Sequence, residues 1–485
     1  MGDDWRAWGG VVVLAALVCF TGFLCPLQEP QESRYAEIPR QMLTHDSFVV
    51  PVLHGQPYYD KPPLFYWLVM ASYAVFGVTE TAARLVPCMA AFLTVLVVHG
   101  WARRQIGLRA AFFGTAILCL SPRFIQLDRM LTMDSLLCLW VVSAWAFGQR
   151  ALTGQVVHRG WWLAAAVACG LGVLTKGPVA LVLVLPPLLA LRWIDPDKAR
   201  PGVRAVAGFL FVSVGLAAPW FVAVALRDGT FLAYFFWLHH VQRYVDPFDH
   251  VAPWWFYLPE LLVGMLPWTL LLPAFVVAAW RRVLPIQPAV LFVLLLTLWC
   301  LAFFSLAGCK RPFYILPAMP PLALALGGCL DGTLAARPMP RFGWLAGGAT
   351  TLLMLIGVGL MLPGYAAKFS LGAQVSRHAA LGRDGQVAVY CYPRRWDSVS
   401  FYLQRDDVRV FRAEERAALL EELERHPGAL VFARLALAGD LSAMDIQKWL
   451  PEGMAWEALG KPGRLAVGRV IPRPATVAAH SQSAP

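Results

Sequence analysis

Apolar runs recur along the whole chain, separated by short polar breaks. A helix needs roughly 20 apolar residues to cross a bilayer. Runs at 8–27, 82–101, 110–122, 133–149, 161–175, 177–191, 205–226, 253–280, 287–307, 312–330 and 342–363 predict about eleven transmembrane helices. The first run has no basic leader and no small-residue cleavage pattern, which predicts a retained anchor. The 161–191 region breaks at Lys176 and Gly177, so it reads either as two spans or as two re-entrant pieces. Two stretches depart from this rhythm. Residues 28–81 are amphipathic: a helix over Gln31–Thr44, kinked at Pro39, is expected on the membrane surface, and a second is expected to be capped by Asp60 and ended at Gly77. After Gly364, strands at Gln386–Tyr392, Val408–Phe411, Ala429–Phe432 and Arg464–Val470 alternate with helices at Trp396–Gln404 and Ala413–Arg425. The fold class is therefore a polytopic α-helical membrane protein with a small C-terminal α/β domain. The division is 1–363 for the helical module (28–81 its long outer loop), 364–475 for the α/β domain and 476–485 for a disordered tail.

Composition agrees with that class. Of the 485 residues 58% are hydrophobic and 15% charged, too apolar for a soluble globule and for a disordered chain. The ten cysteines show no CxxC and no zinc spacing, and only Cys309 and Cys391 read as solvent-accessible. The net charge of +11 has a simple source in the positive-inside rule. With a cytoplasmic N-terminus, Arg103, Arg104, Arg109, Arg150, Arg159, Arg192, Arg200, Arg281, Arg337 and their basic neighbours all fall inside, and the C-terminal domain falls outside. Yet Arg34, Arg40, Lys61, Arg123, Arg129, Lys176, Arg243, Lys310 and Arg311 then lie on the outer side, where few cations belong. An anionic ligand at that face accounts for them.

The outer-loop motifs are ESRYAEIPRQML, YYDKPPLFYWL, FGVTETAARL, LTMDSLL, LTKGPVAL, FFWLHHVQRY, HVAPWWFYLP and KRPFYILP. As an ordered set over about 8–330 they resemble the lipid A aminoarabinose transferase (ArnT-like) family, GT-C glycosyltransferases related to the protein O-mannosyltransferases. The resemblance implies transfer of a monosaccharide from a polyprenyl (undecaprenyl) phosphate carrier to an envelope acceptor (lipid A, another glycolipid or a protein) at the periplasmic face of the bacterial inner membrane. No Gly-rich phosphate loop or Rossmann fingerprint stands in the chain, so no nucleotide sugar is expected.

The resemblance also assigns roles. Lys61, Arg243 and Tyr314 match positions that hold the carrier phosphate; Arg34, Tyr35, Tyr58 and Lys310 join them as donor-phosphate residues. Cations aimed at that phosphate would stabilise the charge developing on the leaving group. The acceptor hydroxyl must lose a proton, so a carboxylate base is expected. The family pattern is Asp-Glu-x-Arg-Tyr; here Gln31 replaces the Asp, which leaves Glu32 or Asp134 as the catalytic carboxylate, or else a non-catalytic relative. Lys176 would neutralise an acid or a phosphate. Asp60 and His240 match positions said to bind a divalent metal, with His239 a bystander; two such ligands are a weak metal signal. A rival class is a flippase for a lipid-linked sugar, which would show pseudo-symmetric halves and broken mid-membrane helices.

Overall fold

The computed structural model describes residues 2–247, 249–281, 287–336, 341–357, 361, 364–365, 370–383, 385–434, 446–459 and 465–473; the tail expected at 476–485 lies outside them. Two compact units emerge. One comprises 1–25 and 38–364, the other 26–37 and 365–485, so the start of the first loop groups with the C-terminal residues rather than with the helices.

In chain order the helices are α1 (Gly2–Phe20), α2 (Gln31–Thr44), α3 (Leu64–Phe76), α4 (Glu80–Gln105), α5 (Leu108–Cys119), α6 (Pro122–Arg129), α7 (Asp134–Ala151), α8 (Arg159–Lys176), α9 (Val179–Ile194) and α10 (Val203–Ala225). They continue with α11 (Arg243–Val245), α12 (Tyr257–Gly264), α13 (Leu272–Trp280), α14 (Pro288–Leu306), α15 (Met319–Ala336) and α16 (Arg341–Ile356). Among the described residues, four helices are long and apolar enough to cross a membrane, or five if the pair Trp254–Gly264 and Trp268–Val277, bent by 98°, is one span. The expected run at 253–280 is thus broken, at the Pro267 turn. The 161–191 region forms two helices, α8 and α9.

Lipid tails are as apolar as leucine, so close packing and internal hydrogen bonds hold such helices together. Gly114 of α5 meets Gly327 of α15: a Cβ on Gly327 would lie 2.5 Å from the Gly114 Cα, so neither position has room for a side chain. The Trp145 indole donates to the Leu183 carbonyl at 3.1 Å and the Trp299 indole to Val182 at 2.8 Å, which ties α7 and α14 to α9.

The first loop is only partly as expected. Helix α2 has the predicted range and contains Pro39, but most of its side chains are buried, so it does not lie exposed as a surface amphipath. Beyond it, β1 (Val52–Leu53) and β2 (Gln56–Pro57) form a small hairpin through His54 and Gly55. Helix α3 ends at Gly77 as expected, but its N-cap is Pro63, without a side-chain bond; Asp60 is engaged elsewhere.

In the second unit β3 (Val389–Tyr392), β4 (Arg409–Val410), β5 (Leu430–Ala433), β6 (Met454–Ala458) and β7 (Ala466–Pro472) form one sheet in the order β4-β3-β5-β7-β6. Strand β3 runs parallel to β4 and β5, while β7 is antiparallel to β5 and β6. Phe411, Leu419, Leu423, Val431 and Val470 make its core. The start of the first loop is bound into this unit: Ser370 Oγ donates to the Leu27 carbonyl at 2.8 Å, and the Ser398 N–H to Glu29 Oε1 at 2.6 Å. All ten cysteines are free, and Cys309 and Cys391 are buried rather than accessible.

Candidate functional site: a cationic cavity at the α8–α9 turn

Where α8 turns into α9, a cavity of about 360 Å³ is lined by Lys61, Lys176, His239, His240, Arg243 and Tyr314, against an apolar wall that includes Val179, Val182, Phe303 and Phe304. Each charged residue sits at a helix end or in a loop. Lys61 lies just before α3, Lys176 is the last residue of α8, and Arg243 opens the short α11. The two histidines belong to a wide-turned π-helix, Ala233–Gln242. The α8–α9 turn needs glycine: Gly177 has φ +94, and a Cβ there would lie 2.7 Å from His240 Nε2 and 3.0 Å from Phe235 Cζ.

The cations are fixed by acids behind them. The Lys176 ammonium donates to Asp134 Oδ1 and sits 4.1 Å from the centre of the Tyr314 ring, a cation–π contact. Arg243 binds Asp249 with two bonds, Nε to Oδ1 at 3.1 Å and Nη2 to Oδ2 at 2.7 Å. Lys61 Nζ donates to the Asp60 carbonyl at 3.0 Å. Burial pushes the half-buried Lys61 ammonium down to about 8; Asp60 opposes the shift, while Lys176 and Arg243 add to it. An anion in the cavity would reverse that penalty, since three cations face it.

Asp60 is held beside, not in, the lining. Its Oδ1 accepts the Tyr234 hydroxyl at 2.7 Å and lies 3.4 Å from His239 Nε2. Burial alone would raise its carboxyl; Lys61, His239 and the Tyr234 and Tyr58 hydroxyls outweigh it and hold the group below the usual range. Burial lowers His240 to about 4, and its Nδ1 faces the Phe235 carbonyl at 2.7 Å.

The expected site residues therefore separate. Lys61, Arg243 and Tyr314 share one cavity, with Lys176 added, and Tyr58 stands behind them on Asp60. Lys310 does not line the cavity: its ammonium turns back onto the Ala307 carbonyl. The metal pair is not assembled as expected. His239, not His240, contacts Asp60, and among the described residues no group of three or more His, Cys, Asp or Glu side chains is placed to hold a metal. Asp134 is buried and paired with Lys176. Glu32, Arg34 and Tyr35 belong to the second unit. There Glu32 Oε2 accepts the Gln28 N–H at 2.8 Å at the head of α2, and Arg34 Nε lies 3.4 Å from Asp397 Oδ2. Tyr35 is buried.

Residues 60–236 match the model of the dolichyl-phosphate-mannose-protein mannosyltransferase family. An undecaprenyl phosphate-alpha-4-amino-4-deoxy-L-arabinose arabinosyl transferase of Serratia proteamaculans is 34% identical over 341 residues, which cover 68% of this chain and 60% of the relative. Its counterpart in Sodalis glossinidius is 38% identical over 327 residues, or 65% and 56% of the two chains. The matches thus span about 60% of the length of these relatives. The crystal structure of ArnT from Cupriavidus metallidurans bound to undecaprenyl phosphate superposes with a TM-score of 0.77 at 22% identity, covering 96% of this chain and 98% of that one. In its motifs and sequence matches the chain is similar to the ArnT transferases over about 60% of their length, and it shares their fold.

Proposed function

We propose that this chain is a multi-pass inner-membrane glycosyltransferase. It moves a monosaccharide from an undecaprenyl phosphate carrier to lipid A, or to another envelope acceptor, in an inverting single displacement. In this reading all eleven apolar runs span the membrane, the N-terminus is cytoplasmic, and the C-terminal α/β domain and the cavity face the periplasm. The observation that carries the proposal is the convergence of Lys61, Lys176 and Arg243 on one cavity with apolar walls. A phosphate on a lipid tail asks for that combination of charge and apolar surface. The names of the sequence relatives supply the first donor to try, undecaprenyl phosphate-4-amino-4-deoxy-L-arabinose.

The acceptor oxygen attacks the anomeric carbon while the bond from that carbon to the phosphate oxygen breaks. The carrier departs as a phosphate monoester, whose growing charge Lys61, Lys176 and Arg243 offset. Asp134 acts through Lys176 by holding its ammonium at the cavity, and Glu32 is the carboxylate that the family resemblance offers as acceptor of the proton.

The test is transfer by the purified full chain from that donor to lipid A, read by mass spectrometry. A sugar-sized mass gain on lipid A is expected, with Glu32→Gln slower by about 10²–10⁴-fold. Movement of the intact donor between leaflets without transfer would favour a flippase instead. Full activity of the Glu32→Gln variant would take the proton-acceptor role from that residue.

A further inference from the structure

The bundle holds a second, larger groove, of about 1160 Å³, and it takes no part in the function proposed above. It runs along the same two helices as the cationic cavity, at their other ends. Pro186, Pro187 and Ala190 of α9 and Leu295 and Trp299 of α14 line it, whereas Val179, Val182, Phe303 and Phe304 of those helices line the cavity. From Val179 to Arg192 helix α9 advances roughly 20 Å at 1.5 Å per residue, so groove and cavity open towards opposite ends of the bundle. Helix α10 closes the groove with Val203, Val206, Ala207 and Leu210. Among the large apolar side chains around it, Trp193 and Val203 are each 87% exposed, as befits a surface that meets lipid.

Two guanidiniums, Arg192 and Arg200, stand at the rim. They are presented by an ordered loop. Arg192 Nη1 donates to the Pro196 and Lys198 carbonyls at 3.0 and 3.1 Å, and the Ala199 N–H donates to Leu152 at 3.0 Å. Lys198 and Asp195 neutralise each other at 3.5 Å, and Asp197 is the second acid of the loop. Against those two acids stand Arg192, Lys198, Arg200 and the neighbouring Arg204, so the rim is net positive. Arg192 uses the two N–H donors of Nη1 on the loop carbonyls and keeps the three on Nε and Nη2 for a ligand.

We propose that this groove is a binding site for an anionic glycerophospholipid, its acyl chains against α9, α10 and α14 and its phosphate between Arg192 and Arg200. Charge decides the occupant. A polyprenyl tail entering from the cavity end would bring no charge to the far rim, so it would leave both arginines without a purpose. A zwitterionic lipid would set its own cation beside theirs. Basic pockets between transmembrane helices on the cytoplasmic side are suited to anionic headgroups, each cation contributing about fivefold in affinity.

The full chain would be purified in a mild detergent, and its retained lipids counted by native mass spectrometry during titration with phosphatidylglycerol, phosphatidylcholine or undecaprenyl phosphate. Phosphatidylglycerol is expected to bind in preference to phosphatidylcholine. The Arg192→Ala/Arg200→Ala variant should weaken it about twenty-five-fold while leaving undecaprenyl phosphate binding unchanged. Ala207→Trp, which fills the groove but keeps both arginines, should weaken it as well. Equal retention of the two phospholipids would overturn the proposal, as would full binding by the double variant. Unchanged binding by Ala207→Trp would reduce the effect to bulk surface charge and so overturn the site. Parallel loss of undecaprenyl phosphate in the double variant would give the groove to the carrier and overturn it too. The readout needs no transfer, so it stands or falls apart from the glycosyltransferase assignment.

Discussion

Two parts of the first loop carry cations of similar appearance in the sequence, and they meet different fates. Lys61 reaches a cavity in the helical unit that it shares with Lys176 and Arg243. Arg34 stays in the second unit and pairs with Asp397 at 3.4 Å. In the cavity Asp134 binds Lys176 and Asp249 binds Arg243, while Asp60 stands near Lys61 without a direct ion pair, and apolar walls close one side. Around Arg34, Asp397 supplies a matching acid, and burial together with Asp397 pushes the Glu29 carboxyl up. A cation with no carboxylate bound directly to it, beside apolar surface, marks a place for a lipid-borne anion. A matched pair marks structure. Closeness along the chain does not distinguish the two; the balance of neighbouring charge does.

That contrast has measurable consequences. Lys176→Ala should show the largest effect, slowing transfer by about 10²–10³-fold by removing one of the donors that face the leaving group. It should also lower stability by about 3–5 kcal/mol, because Asp134 would remain buried without a partner. Asp134→Asn with Lys176→Met would remove both charges and restore most of that stability without restoring transfer. Thermal melting and the transfer assay together separate the two roles. A Lys176→Ala chain with wild-type turnover would break the comparison.

Next in size is the effect of pH. Burial holds Lys61 at about 8, below its ordinary value, so the free site loses this charge as pH rises through 8 and keeps it below. Carrier-phosphate affinity should therefore fall above pH 8, by up to about tenfold per unit. Lys61→Arg keeps its charge throughout and should flatten the profile. Affinity measured from pH 6.5 to 9.5 checks this, and a profile that is flat in the native chain would take Lys61 away from the phosphate. The smallest effect is expected at Arg34. Its side chain is 41% exposed and already paired, so Arg34→Ala should cost at most about 1 kcal/mol in stability and change transfer only a few-fold. A loss of 10²-fold or more would return Arg34 to the phosphate and erase the distinction.

Much of the helical unit was legible because apolar length is a strong signal: α4, α7, α10 and α14 follow the predicted runs within a few residues. Breaks inside such runs were not, because hydropathy is blind to a bend such as the one near Pro267. In the second unit the strand-like stretches at 389–392 and 430–433 were readable from β-branched and aromatic residues. Strand β6, Met454–Ala458, was missed; its side chains are half-buried or exposed, and Ala, Glu and Met carry little strand preference. Within the site, cations on the outer side pointed to Lys61 and Arg243, and the family resemblance pointed to these two and to Tyr314. Direction was beyond it. Lys310 points back to Ala307, and of two adjacent histidines the one expected to be idle touches Asp60. The π-helical turns around 233–242 set which histidine faces where, and no spacing rule for a regular helix anticipates them.

Equilibrium binding of undecaprenyl phosphate to the full chain, set against binding of the uncharged alcohol undecaprenol, tests the central claim most directly. A clear preference for the phosphate is predicted, lost in Lys61→Ala/Arg243→Ala while binding of the alcohol is unchanged. Equal affinity for the two lipids, or an undiminished preference in that variant, would contradict the reading of this cavity as a phosphate site.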